Sequence, residues 1–343
     1  METEPGQKKH LFTNKQLWAL LVPVVVEQIL NSLMGTADTM MVSNVGSAAI
    51  SAVSLVDSIN VLVIQVFAAL AAGGTIICSQ YMGQKNTKNA TDAAKQLIFI
   101  ITAIAVVLTV VCVVFQIPLL HLIFGKVEAE VMINSEIYFL YTALSFPFIA
   151  VFNAGSSVFR AQENTRLPMT ISVISNIMNI VGNAILINGW FGMPQLGAVG
   201  AAISTDISKL VGLALMIGMF FKSRRVKIGM SYLRPFPVQI LKNLCLLAIP
   251  TGVESFSYNL SQMIILGIVN SFGTLVTVTK GYCTIFANID YVYAMAIATA
   301  TQIVLGYLIG ARRLNDIQKR VNATLKVAIA ACVGMAVLMC LGG

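Results

Sequence analysis

The sequence predicts an all-α polytopic membrane protein, and three observations support that fold class. Of its 343 residues, 57% are hydrophobic and only 10% are charged, which leaves too little polar surface for a soluble domain. The apolar residues form blocks of about 20 or more, the length of helix that crosses a bilayer core of about 30 Å. The blocks lack the alternation of a β-barrel, and the backbone of a lipid-exposed segment must satisfy its own hydrogen bonds, so each block is predicted to be a helix.

The apolar blocks predict about nine transmembrane helices. Their spans are 17–42, 50–77, 97–117, 135–158, 167–187, 196–221, 244–269, 276–309 and 325–341. Of the 22 lysines and arginines, 19 precede the first span, lie in alternate loops or, like Lys326, stand at the loop edge of a span, and the other three are Lys126, Lys209 and Lys280. This positive-inside pattern predicts a cytoplasmic N-terminus. The net charge of +8 therefore indicates membrane topology, and nucleic acid is not an expected partner.

The chain contains an internal repeat at an offset of 227 residues (254 − 27). Four residues of the first span recur in the seventh, and two glycines recur in loops: Leu20/Leu247, Pro23/Pro250, Val26/Val253, Glu27/Glu254, Gly46/Gly273 and Gly83/Gly310. Six spans separate the copies, so both start in the same orientation. This arrangement predicts two parallel six-helix bundles related by an axis along the membrane normal.

The repeat also predicts the domain organisation. We expect a cytoplasmic tail at 1–16, an N-lobe bundle of six helices at 17–221, a basic inter-lobe loop at 222–243 and a partial C-lobe at 244–343. A full second copy would extend to about residue 448 (221 + 227). The second bundle is therefore expected to be incomplete, with three of its six helices, in a chain truncated after about nine of twelve helices.

Several segments resemble the multidrug and toxic compound extrusion (MATE) family, in an order and spacing that match it from about Leu11 onwards. They are TADTMMV at 36–42, GGTIICSQYMG at 73–83 with its echo ATATQIVLGYLIG at 298–310, FRAQENTRLP at 159–168, the asparagines Asn176, Asn179 and Asn183, and GMPQLGAVGAAIST at 192–205. The resemblance implies twelve helices in two lobes. It also implies export of organic cations and other compounds by alternating access, driven by inward sodium or proton flow.

Six carboxylates lie within the predicted spans: Glu27, Asp38, Asp57, Asp206, Glu254 and Asp290. A charge at a helix centre costs roughly 2.5–3.5 kcal/mol on insertion scales, so a functional role is the default hypothesis. A carboxylate in a low-dielectric interior can exchange a proton near neutral pH, and clustered oxygens can instead replace the hydration shell of Na⁺. Either event gives an ion site whose occupancy biases two conformations.

The resemblance places an N-lobe ion site at Asp38, with a possible Na⁺ there. It adds Asn179 and Asn183, four apart on one helix face, and a hydroxyl from Ser204 or Thr205. Some relatives have aspartate at the position of Asn183, and its absence here would weaken proton coupling or change the ion. The alternative is that the asparagines only bridge helices, at about 0.6 kcal/mol per hydrogen bond.

Glu254 and Glu27, which are equivalent in the repeat, are predicted to bind a cation or to line the substrate cavity. Glu254 follows Pro250, which kinks its helix, and the resemblance implies a C-lobe cation site there. Its repeat mate Glu27 has the same local sequence and either lines the substrate cavity or is a protonated acid bonded to a neighbouring helix.

Three further acids complete the set. Asp57 is predicted to line the cavity beside Asp38. Asp290 and the adjacent Tyr291 form a candidate surface for organic cations. Asp206 and Lys209, three apart on one helix, are expected to neutralise each other.

The sequence thus predicts a multi-pass antiporter of the cell (plasma) membrane that exports organic cations or other xenobiotics in exchange for Na⁺ or H⁺ and needs no cofactor. One alternative is a lipid-linked precursor flippase, but its anionic substrate would require more basic residues in the spans than Lys209 and Lys280. An inactive truncated fragment is another. An enzyme is not expected, because the chain has two histidines and lacks HExxH, Walker and nucleophile-elbow motifs. The coupling ion, substrate identity and oligomeric state stay open.

Overall fold

The computed structural model describes residues 14–125, 127–223, 238–270, 272 and 274–342, apart from certain side chains within the helices, that of Asp290 among them. Within these residues the secondary structure is helical, with no strand. The helices are α1 (Asn14–Ser43), α2 (Ser47–Gly83), α3 (Thr87–Val114), α4 (Gln116–Phe124), α5 (Ala129–Leu144), α6 (Phe146–Ala161), α7 (Arg166–Asn188), α8 (Gly197–Lys222), α9 (Val238–Asn270), α10 (Thr274–Gly310) and α11 (Leu314–Gly342). The predicted all-α membrane fold is confirmed.

Among the described residues, eight segments are long and apolar enough to cross a membrane. They correspond to eight of the nine predicted spans, and the fourth span consists of α5 and α6 together, Ala129–Ala161. The predicted seventh span, 244–269, lies within the 33-residue helix α9, which has side chains outside the description. The short helix α4 was not predicted as a separate element.

The helix bounds reproduce the 227-residue offset. Helices α2 and α10 begin at 47 and 274 and end at 83 and 310, while α3 and α11 begin at 87 and 314. The turns that follow α2 and α10 also match, because Lys85 and Arg312 have φ angles of 57° and 58°. These residues share the left-handed conformation that ends a helix sharply. The repeat is therefore visible in backbone geometry as well as in sequence, whereas the division into lobes stays a prediction.

Helix α2 is the central element of the bundle. It contacts α3, α5 and α6 of the first repeat and also α9 and α10 of the second. Helices α2 and α10 cross at their C-terminal ends, where a Cβ on Gly83 would meet the carbonyl oxygen of Tyr307 and a Cβ on Gly310 would meet that of Gln80. Gly83 and Gly310 are repeat mates, as are Gln80 and Tyr307. The crossing is therefore self-complementary, as a two-fold axis requires.

Candidate functional site

Polar contacts join α1 to α7 at three levels along their length. Positions 27, 31 and 38 of α1 lie on one helical face, and each contacts the residue 145 positions later. The pairs are Ser172 Oγ donating to Glu27 Oε1 at 3.3 Å, Asn176 Nδ2 to Asn31 Oδ1 at 3.4 Å, and Asn183 Nδ2 to Asp38 Oδ1 at 2.5 Å. Hydrogen bonds of this kind hold membrane helices together where no hydrophobic force acts between them.

Asp38 lies half-buried among amide groups from α7. The Asn183 side chain is fully buried, and while its nitrogen donates to Asp38 its Oδ1 atom has no hydrogen-bond partner. Asn179 satisfies its neighbours best when its amide nitrogen, 2.9 Å from Asp38 Oδ1, donates to that carboxylate, an orientation assigned from the hydrogen-bond network. In this orientation the Asn179 oxygen accepts from the Thr205 hydroxyl at 2.9 Å and from the Thr205 backbone at 3.2 Å.

The two candidate hydroxyls of α8 have different positions. Thr205 joins the side-chain network through Asn179. Ser204 instead donates to the backbone carbonyl of Asn179 at 2.9 Å. A Cβ on Gly182 would collide with Ser204 Oγ, so glycine at this position lets α7 approach α8 closely. The structure therefore brings Asp38, Asn179, Asn183 and Thr205 together, and Ser204 braces the helix pair.

Asp57 of α2 extends the polar region towards α5. It accepts from Asn60 Nδ2 at 3.2 Å, and the hydroxyl of Tyr138 lies near its carboxylate. Its charge acts on Asp38, so the two carboxylates belong to one electrostatic environment, and the role of Asp57 at a substrate cavity stays a prediction. Tyr138, which is buried on α5, is also within the fields of Asp38 and Asp206.

The expected ion pair between Asp206 and Lys209 is wrong. In the described part of the chain no salt bridge within 4.0 Å joins them, and Asp206 Oδ1 is buried without a hydrogen-bond partner. The charge of Lys209 acts on Asp38 instead. A spacing of three residues places two side chains on one face, but the neighbouring helix decides which partner each one meets. We name Asp38, Asp57, Asp206, Lys209, Tyr138, Asn179, Asn183 and Thr205 the N-terminal polar cluster.

Glu27 is buried in an ion pair rather than at a cavity wall. Its Oε1 atom is 2.8 Å from Arg160 Nη2, and its side chain is 3% exposed. Ser172 donates to the same oxygen. Of the two predicted roles, this placement agrees with a bond to a neighbouring helix. The predicted protonated acid is wrong, however, because Glu27 forms an ion pair with Arg160 of α6. The structure therefore does not bring Glu27 to the N-terminal polar cluster.

Glu254 lies on an exposed face of α9, near two tyrosines. Tyr258, one turn along α9, stacks on Tyr291 of α10 with ring centroids 6.2 Å apart and an interplanar angle of 2°. The charge of Glu254 acts on Tyr291. The structure therefore groups a carboxylate, that of Glu254, with two aromatic rings, and the predicted surface of Asp290 and Tyr291 stays a prediction. The side chain of Asp290 lies outside the described residues.

Sequence reasoning missed several residues of these sites, among them Asn31, Asn60 and Ser172. Tyr138, Arg160 and Tyr258 were not named as partners of an acid, and Lys209 was given the wrong one. Tyr258 follows Glu254 by four residues, so helical spacing could have signalled it. Tyr138 and Arg160 are separated from their acids by 81 and 133 residues (138 − 57 and 160 − 27), and no local pattern connects them.

A bundle of membrane-spanning helices with an internal repeat and carboxylates buried between its helices defines the class of secondary transporters. The family model described as MatE matches residues 23–185 and 250–342, one segment in each repeat. The chain belongs to this family, and it is a MATE family transporter.

Individual relatives agree with this assignment. The "Uncharacterized transporter YisQ" of Bacillus subtilis (strain 168) is 31% identical over 324 residues, covering 94% of this chain and 70% of the relative. The "Probable multidrug resistance protein NorM" of Thermotoga maritima is 28% identical over 248 residues, covering 71% of this chain and 52% of the relative. Among solved structures, an outward-facing multidrug resistance MATE transporter of the MOP superfamily superposes with a TM-score of 0.86 at 21% identity, covering 95% of this chain and 71% of that one. That likeness shows the fold.

Proposed function

We propose that the protein is a secondary active antiporter that exports organic cations in exchange for Na⁺ or H⁺ bound at Asp38. The observation that carries the proposal is the network of Asp38, Asn183, Asn179 and Thr205, which links α1, α7 and α8. An ion bound there contacts three helices at once. It would therefore favour whichever conformation keeps them together, and differential affinity of this kind drives a population shift.

The chemistry of the network suits a small hard cation. Asp38 supplies charge, and Thr205 supplies a hydroxyl oxygen. The unpartnered Oδ1 of the buried Asn183 is an orphaned acceptor that a cation would satisfy. Turning the Asn183 amide would direct that oxygen towards Asp38, and oxygens of carboxylates and carbonyls replace the hydration shell of an alkali ion in transport proteins. A proton on Asp38 is the other occupant consistent with a single carboxylate at this point.

A cationic substrate follows from the balance of charge. The N-terminal polar cluster contains three carboxylates and one lysine, and the exposed group of Glu254, Tyr258 and Tyr291 adds a carboxylate beside aromatic faces that attract cations. The proposed location is the plasma membrane with the N-terminus in the cytoplasm, from the distribution of lysine and arginine.

Efflux of a fluorescent organic cation from bacterial cells tests the proposal. Because the aligned region covers 70% of YisQ, export is measured with this chain and, in parallel, with full-length YisQ. We expect Asp38→Asn to abolish coupled export without loss of expression, since the amide can neither bind a proton nor supply a full negative charge. The matched control is Asp92→Asn, an acid of α3 whose side chain is 40% exposed, and it should leave export unchanged.

The coupling ion is assigned by dissipating the sodium and proton gradients separately. Collapse of one gradient should stop export, and collapse of the other should not. Export by Asp38→Asn at the parental rate under an intact gradient would refute the assignment of Asp38. Transport of an anionic lipid-linked pyrophosphate in preference to cations would instead favour the flippase.

A further inference from the structure

An apolar groove of about 270 Å³ lies between α1, α10 and α11. Leu17, Trp18, Leu21, Val304 and Val327 are among the apolar side chains that line it, and Arg320 contributes a cation. Its volume lies just below the ~300–1,000 Å³ typical of small-molecule pockets. Ile297 and Leu305, both in the lining, are eight residues apart, or roughly 12 Å along a helix. The groove is therefore long and narrow.

The repeat offers a direct comparison for this groove. When the repeat offset of 227 is added to the residue numbers of α1 and subtracted from those of α10 and α11, the groove corresponds to the junction of α9, α2 and α3. At that junction side chains fill the space. Leu244 is 1% exposed and Ala248 is 4% exposed, and both lie in contact distance of a Cβ placed on Gly73. A Cβ on Gly74 would collide with Leu97. The helices at this junction are thus closely packed, and Gly73 and Gly74 make that packing possible.

Three substitutions between the repeats account for the open groove. Ala300 and Thr301 of α10 stand where α2 has Gly73 and Gly74, and the added side chains keep α1 and α11 from approaching as closely. Arg320 stands where α3 has Ala93, which is 2% exposed and packed. The groove therefore differs from its counterpart both in space and in charge.

The position of the charge indicates the ligand. Arg320 lies two turns from the start of α11, and Leu17 and Trp18 lie in the first turns of α1. These three residues therefore lie at the end of the groove that is nearest to the predicted cytoplasmic side of the membrane. Tryptophan is enriched at the membrane interface, and Trp18 is 59% exposed. The deeper part, towards Ile297 and Val327, is apolar except for Thr301 and Thr324, whose hydroxyls donate to carbonyls of their own helices. This order of cation, interfacial ring and apolar slot matches a phosphate headgroup followed by an acyl chain.

We propose that the groove binds an anionic phospholipid, with its phosphate at Arg320 and one acyl chain along α10 between α1 and α11. The groove joins a helix of the first repeat to two helices of the second. A lipid seated there would therefore stabilise the contact of α1 with α10, and its binding requires no ion or substrate.

Fluorescence of Trp18 reports directly on the groove, because the chain has only two tryptophans, Trp18 and Trp190. Trp190 lies in the turn after α7, and Trp190→Phe leaves Trp18 as the single probe. The purified chain is placed in mixed micelles with brominated phosphatidylglycerol or brominated phosphatidylcholine. We expect the anionic lipid to quench Trp18 at a roughly fivefold lower mole fraction, the effect of one basic residue on an anionic headgroup.

Substitutions at Arg320 and Lys319 distinguish lipid binding in the groove from general attraction of anionic lipid to a basic surface. Arg320→Gln should bring the two lipids to the same quenching curve, and Arg320→Lys should keep most of the difference. Lys319→Gln removes an exposed charge next to the groove and should change nothing. Equal quenching by both lipids in the parental chain, or an equal effect of Lys319→Gln and Arg320→Gln, would overturn the proposal. Since no gradient is applied, this outcome is independent of Asp38 and of export.

Discussion

Glu27 of α1 and Glu254 of α9 are equivalent in the repeat, each four residues after a proline inside its helix, yet they lie in opposite surroundings. Glu27 is 2% exposed and paired with Arg160. Glu254 is exposed beside two stacked tyrosines. The residues one turn later differ in the same way, because Asn31 bonds to Asn176 whereas Tyr258 stacks on Tyr291.

This contrast shows that a shared local sequence produces the same helix but not the same role. Pro23 and Pro250 remove the same backbone donor, and the helices end 227 residues apart. The role of each glutamate is set by what the neighbouring helix presents. For Glu27 these neighbours are α6 and α7, which supply Arg160 and Ser172.

The largest expected effect comes from removing the buried acid. Glu27→Ala leaves the guanidinium of Arg160, whose side chain is 17% exposed, without its partner inside the bundle. Breaking a buried pair in this way destabilises a protein by roughly 3–5 kcal/mol. Thermal unfolding of the purified chain in detergent should therefore show a large fall in Tm for Glu27→Ala and almost none for Glu254→Ala.

The double variant Glu27→Leu with Arg160→Met sharpens the test. Replacing both charges by apolar groups should recover much of the lost stability. Equal effects of Glu27→Ala and Glu254→Ala would show that the ion pair does not distinguish the two repeats.

A smaller effect is expected where the repeats behave alike. Gly83→Ala and Gly310→Ala each place a methyl group against a backbone carbonyl at the α2/α10 crossing, and overpacking of this kind costs roughly 1–3 kcal/mol. Because the contact is self-complementary, the two variants should lower the free energy of unfolding by similar amounts, measured by denaturant titration.

Gly334→Ala is the matched control for the crossing. A Cβ at Gly334 of α11 would meet no atom of the described residues within 4 Å, and alanine is favoured over glycine in a helix by roughly 0.5–1 kcal/mol. This variant should be unchanged or more stable. A loss of stability in only one of the two crossing variants would contradict the symmetric contact.

The smallest effect concerns the tyrosines that only the second repeat has. Tyr258→Ala removes an aromatic face beside Glu254, and an exposed cation–π contact contributes roughly 0.5–1 kcal/mol. The KM for export of an organic cation should rise by about two- to fivefold, whereas Tyr258→Phe should keep the parental value. A KM that is unaltered in Tyr258→Ala would place the substrate elsewhere.

Much of the fold could be predicted from the sequence because membrane-spanning helices are recognisable from the sequence of each segment. A bilayer imposes a length and an apolar composition on each span, and the duplicated Pro-x-x-x-Glu motif with Gly83 and Gly310 located the repeat. The candidate site was partly predictable for a related reason. Charged residues are rare in spans, so Asp38 and Asp57 stood out, and the helical spacing of Asn179 and Asn183 placed both on one face.

What remained hidden were contacts across helices distant in sequence. The sequence presented Asp206 and Lys209 as partners because they are neighbours on α8, but α1 brings Asp38 within the field of Lys209 instead. The ion pair of Glu27 with Arg160 and the open groove at Arg320 likewise depend on how far apart particular helices lie.

The sequence by itself determined that this chain crosses a membrane many times, contains two copies of one helical unit and carries acids where lipid would exclude them. Only the tertiary structure decided which acid is neutralised, which one lies among amides and which one faces outwards. The physical reason is that hydrophobic length is a property of each segment alone. The free energy of a buried charge, in contrast, depends on the few ångströms between it and a group brought there by another helix.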